Sequence, residues 1–131
     1  MTRWVIRLMA LAAFLTVGVG LQAHHAVAGV YDLNKEVVLQ GKLVKLNFTN
    51  PHSSIVLAVP DKKTKKITEW TLTTASTQVL TRQGVSKTAM KPGEILKVKI
   101  LPAVNGNPAG FIRTLELGDK EITLFFADGN N

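Results

Sequence analysis

One stretch constrains the fold more than any other: VVLQGKLVKLNF, residues 37–48. Val37, Leu39 and Leu43 share one parity, with Gly41 between them, and Val44, Leu46 and Phe48 share the other. Side chains of a strand alternate between its two faces, so a change of phase turns the apolar set outward unless an extra residue absorbs it. The slip therefore predicts a bulge near Leu43 in a long, bent first strand. A small closed barrel needs such a strand to serve both of its halves.

The rest of the chain supplies short partners. Asn50-Pro51-His52 reads as a turn, with Pro51 fixing the backbone. Residues 54–59 place Ile55, Leu57 and Val59 on one face, PDKKTKK (60–66) is a polar hairpin connection, and residues 67–73 return with Trp70 and Leu72 toward the core. The four lysines of that connection read as solvated. Ser76 is the expected N-cap of a two-turn helix that carries Val79 and Leu80, closed by Gly84 in left-handed conformation. KPGE (91–94) is a tight turn. Residues 95–101 alternate, with Leu96, Val98 and Ile100 inward and Lys97 and Lys99 outward. Turn chemistry at 105–108 and 118–119 brackets a fifth strand over 111–117, and a sixth short one follows at 122–126. Three strands, one short helix and two more strands is the order of an OB-like Greek-key barrel of five to six strands, with the terminal strand covering an edge. A small β-sandwich is the alternative that periodicity leaves open.

The chain has 131 residues, so one modest core is expected. With 46% apolar and 19% charged residues it is globular in composition. It contains no cysteine, which excludes disulfides, thiolate metal sites and cysteine nucleophiles and leaves histidine as the strong nitrogen ligand.

The beginning reads as an export signal. Arg3 and Arg7 precede an apolar stretch over residues 8–21, interrupted by Thr16, Gly18 and Gly20. That stretch is shorter than the roughly 20 residues a helix needs to cross a bilayer. Residues 1–23 are thus expected to be a cleavable secretory signal, with 24–131 a single domain led by an arm, 24–36, and no stable membrane anchor after processing. Cleavage after Ala23 and cleavage after Ala28 both fit the local pattern. The chain is then periplasmic or secreted. Without Arg3 and Arg7, 14 of the 16 basic residues remain against 9 acidic ones, a net charge of about +5. Outside the cytoplasm the expected counterpart of that charge is an anionic glycan, lipid headgroup or wall polymer rather than nucleic acid.

The residues also resemble a known family. His24-His25 after the signal, Val38-x-x-x-Gly41-x-Leu43, Phe48-x-Asn50-Pro51-His52, Trp70, Ser76-x-x-x-Leu80-x-Arg82-x-Gly84 and Lys91-Pro92-Gly93-Glu94 carry the likeness, over roughly residues 24–120. The family consists of small exported bacterial proteins, mostly proteobacterial, and is of unknown function. Its usual form opens with His-His-Ser and has tryptophan before Asn-Pro-His; Ala26 and Phe48 stand there in this chain. Thr73 stands where an acidic residue is common, and Val85 where a tryptophan is. The resemblance lends no activity, but it implies cleavage before the double histidine, after Ala23.

Two kinds of site follow. Cleavage after Ala23 gives His24 a free amine beside its ring, a chelating pair for Cu(II), with Zn(II) second. His24, His25 and His52 are the candidate metal ligands, with Tyr31 packing residues 26–36 back toward the Asn-Pro-His turn. The alternative is a basic stripe of Lys42, Lys45, Lys97 and Lys99 on outward strand positions, binding an anionic envelope polymer or lipid. Of the aromatic residues, Phe125 alone has the outward parity that stacking on sugars would use. No nucleophile elbow, phosphate loop or dinucleotide fingerprint is present. Asp32 and Glu36 read as solvated or paired with Lys35. The expected function is that of an exported binding or accessory module of the envelope with no turnover of its own.

Overall fold

β1 (Val37–Asn47) changes partner along its length, and the barrel is organised around that change. From Val37 to Lys42 it pairs antiparallel with β4 (Ile95–Pro102); from Lys42 to Asn47 it pairs antiparallel with β2 (Ser54–Pro60). The register against β2 shifts between Leu43 and Lys45, which is the bulge that the change of apolar phase demands. The computed structural model describes residues 27–124. Its chain divides into two compact units, Met1–Val30 and Tyr31–Asn131. In the first, the described residues 27–30 are helical; the barrel belongs to the second.

β2 pairs antiparallel with β3 (Ile67–Thr73), and β4 with β5 (Ala109–Leu117). A parallel pairing of Thr71–Thr73 in β3 with Ala109–Phe111 in β5 closes the five strands. β6 (Lys120–Thr123) then pairs with the far half of β5, beyond the reach of β3, so it covers the edge left there. The result is an OB-like barrel with one added strand: a single closed sheet and not a sandwich of two.

The core is aliphatic. Leu43, Leu57, Leu72, Val98, Ile100 and Ile112 are wholly buried inside the barrel. Each contributes about 1.5–3 kcal/mol of burial. α1 (Thr77–Arg82) and the loop after it add Leu80, Val85 and Met90 to this cluster. Ser76 caps α1 by accepting from the Val79 N–H at 3.4 Å, and Gly84 takes φ 82° just past its end.

Three details depart from the sequence reading. Trp70 faces inward and packs on the core but is only half-buried, as is usual for a side chain that large. β6 begins at Lys120, two residues early, and Phe125 and Phe126 lie outside the described residues. A second register shift, between Lys99 and Ile100, bulges β5 at Arg113 and resets which of its residues point outward.

Candidate functional site

Two patches of the barrel exterior carry apolar residues, and the chain treats them differently. The first is a seam beside the β3–β5 closure. Ile100 and Ile112 are cross-strand partners inside, so the next pair, Leu101 and Phe111, stands outside. Both are nonetheless buried, at 1% and 5% exposure, and neither belongs to the core cluster. Tyr31 lies edge-on to Phe111 at 5.7 Å between ring centroids, and its hydroxyl donates to Thr73 Oγ1 at 3.2 Å. Its backbone bridges to Ala103, and the next N–H, of Asp32, donates to Pro102 O at 2.9 Å. Glu36 then pairs with Arg113 at 2.6 Å. Residues 31–36 are therefore strapped along the outer face.

His52 also meets the Phe111 ring, edge-on at 6.4 Å. The turn that presents it is tightly built around a cis Asn50–Pro51 bond. Asn50 Oδ1 accepts from the N–H and the hydroxyl of Thr77 at 3.0 and 2.9 Å, tying the turn to the start of α1. Buried Ser53 bonds Thr49 through its hydroxyl, and its N–H donates to Ala75 O at 3.0 Å. The imidazole itself is exposed and makes no hydrogen bond with the described residues. It is not a turn residue held by backbone groups. His24 and His25 lie outside the described residues. Among the described residues no group of three His, Cys, Asp or Glu side chains is placed to hold a metal.

The second patch is a groove of about 640 Å³ on the outside of β1 and β4. The register sets out its floor in rows: Ile95, Lys42 and Ala58 across three strands, then Lys97 beside Gln40. Beyond Ala58, β2 no longer pairs with β1, and the β2–β3 hairpin lifts away to form a wall with Pro60, Lys62 and Ile67. The walls meet at Gly41, where an added Cβ would lie 2.5 Å from Ala58 O and 2.9 Å from Val59 Cγ2. Only glycine permits that approach.

The four lysines of the sequence reading thus separate. Lys42 and Lys97 line the groove. Lys45 lies past the bulge, opposite Val56. Lys99 is held by Glu121 at 2.9 Å; the hydrogen bond and then the charge of that carboxylate raise its pKa. Lys97 likewise bonds Glu116 at 2.8 Å. Both carboxylates come from β5 and β6, which only the register reveals. Sequence reasoning missed Val38, Ile67 and Ile95 as groove residues and took Lys62 as merely solvated. For Val38, Ile67 and Ile95 the signal was present: each is apolar at an outward position.

Asp32 and Glu36 do not form a carboxylate couple. The Asp32 carboxylate accepts from the Asn34 N–H at 3.0 Å, and Glu36 is engaged with Arg113 rather than Lys35. No helix among the described residues is long and apolar enough to cross a membrane. No curated protein and no solved structure matches the chain. Residues 12–113, which take in β1 to β4, α1 and the first half of β5, match the model of a family of unknown function, DUF6152, and the chain belongs to that family.

Proposed function

We propose that this protein is an exported accessory module of the cell envelope that binds an anionic envelope component and catalyses nothing itself. The observation that carries the reading is the meeting of Lys42 and Lys97 on one concave surface. Export is argued from the two arginines and the short apolar run that begin the chain. The basic balance of the remaining chain favours an anionic partner. The test is retention from an envelope extract. A glycan or lipid held at low salt and shed at high salt is expected, because exposed charge pairing is screened. Lys42→Glu together with Lys97→Glu should abolish retention; undiminished retention by that double variant would end the reading.

The exposed imidazole of His52, which makes no hydrogen bond with the described residues, favours a second reading, in which the histidines take Cu(II), with Zn(II) second. His24 and His25 enter it as an amino-terminal chelate made by cleavage after Ala23. Mass spectrometry must find His24 as the first residue, since a start at Gly29 removes both. Copper titration then follows: His52→Ala should weaken binding by the protein, and equal affinity of the protein and a peptide of its terminus would exclude His52.

A further inference from the structure

Apolar side chains on the outside of a small barrel ordinarily meet water one at a time. Val38, Ile67 and Ile95 do not: at 54%, 63% and 59% exposure they line the same groove, with Ala58 and Pro60 between them. Lys42, Lys62 and Lys97 stand round these residues, and among the described residues no carboxylate lines the groove. Among the described ion pairs none engages Lys42 or Lys62. The volume lies within the roughly 300–1,000 Å³ of small-molecule sites. An open apolar surface beside Lys42 and Lys62, whose ammonium groups lie outside the described ion pairs, matches a ligand with the opposite arrangement, an apolar chain ending in an anion.

We infer that the groove binds a single long-chain carboxylate, its chain on Val38, Ile67 and Ile95 and its head against the lysines. The inference rests on the anionic-ligand reading above and narrows it. A glycan polymer fits less well, because none of the described lining residues has an aromatic ring to stack on sugars. A second copy of this chain would bring one set of three lysines against another, a like-charge contact in a protein of net charge +7.

Calorimetric titration of the purified chain, at low ionic strength and below micelle concentrations, tests this with dodecanoate, octanoate, acetate and polyglutamate. Dodecanoate is expected to bind once per chain, with affinity falling on the order of two- to fourfold per methylene removed, since a half-open groove buries each one incompletely. Lys42→Gln should weaken it about tenfold by removing a charged hydrogen bond. Ile95→Asp should abolish it. Both side chains are exposed, so neither change threatens the fold. Val104→Asp makes the same chemical change at an equally exposed position outside the groove and should leave binding intact.

Acetate or polyglutamate binding as well as dodecanoate, with no effect of Ile95→Asp, would overturn the chain-binding inference while keeping the anionic reading. Dodecanoate binding indifferent to both groove variants would place the ligand elsewhere and overturn it. No binding of any probe would remove both readings. Sedimentation gives one more outcome: a dimer that Ile95→Asp dissociates, with no dodecanoate bound, would make a second copy the occupant and the inference wrong.

Discussion

The seam and the groove begin from the same situation, apolar side chains turned out of the barrel, and end differently. At the seam Leu101 and Phe111 are covered, with residues 31–36 strapped alongside by Tyr31, Asp32 and Glu36. At the groove Val38, Ile67 and Ile95 are left open and ringed with lysine. Burial converts outward apolar area into folding energy; exposure leaves it available to something else. The seam therefore belongs to stability, and the groove is the face we propose for binding.

That division breaks first at Phe111. Phe111→Ala should cost about 3–5 kcal/mol in denaturant unfolding, the cost of a core truncation, although the ring lies outside the core. Ile95→Ala, a comparable deletion in the groove, should stay within about 0.5 kcal/mol. Equal losses at the two positions would dissolve the distinction.

Gly41 ties the groove to the fold and should give the next effect. A Cβ there meets the backbone oxygen of Ala58, so Gly41→Val forces the hairpin wall to move. The expected cost is about 1–3 kcal/mol of overpacking strain, accompanied by loss of groove binding. A variant that loses stability but binds dodecanoate unchanged would show that the apex does not shape the site. Tyr31→Phe should do less. It removes the hydrogen bond to Thr73 while keeping the ring on Phe111, about 0.5–1.5 kcal/mol by the same unfolding measurement. It should leave the groove untouched.

The sequence was most readable where one strand's own pattern decides the structure. The phase change in residues 37–48 announced the bulge, Ser76 and Gly84 bounded α1, and the alternation of residues 95–101 oriented β4. It was least readable where two strands must be aligned first. Ile100-Leu101 and Phe111-Ile112 are both double apolar steps, and one member of each had to face out. Seeing that the outward members coincide requires the β4–β5 register and its bulge at Arg113. The groove is harder still, because it depends on where β1 stops pairing with β2 and on the bare backbone of Gly41. The partners of two of the four lysines were hidden for the same reason: Glu116 and Glu121 are neighbours of Lys97 and Lys99 only across strands. For the histidine pair at 24–25 the structure adds nothing, since both residues lie outside those described.

The smallest expected effect is a pH response confined to the groove wall. The carboxylate of Asp61 accepts from the Thr64 and Lys63 N–H groups at 2.7 and 2.9 Å and from the Thr64 hydroxyl at 3.0 Å. The bond from the Thr64 backbone, then that from Lys63, holds its pKa below the ordinary aspartate value. These bonds shape the hairpin tip that carries Lys62, where Lys65 takes φ 61° and its N–H donates to Asp61 O at 3.0 Å. Because the folded pKa is the lower one, the stabilisation is fully present above the unfolded value of about 3.9 and is lost as pH falls through the folded value. Acidification should therefore loosen the tip while leaving Tyr31 in place, since the interactions that hold Tyr31 are ring packing and uncharged hydrogen bonds. Amide resonances of Lys63 and Thr64 should titrate with the Asp61 carboxyl while those of Tyr31 and Phe111 stay fixed. Asp61→Asn should flatten the titration at the tip. Simultaneous movement of both sets would mean that wall and seam form one cooperative unit, and the separation of a binding face from a stabilising one would have to be given up.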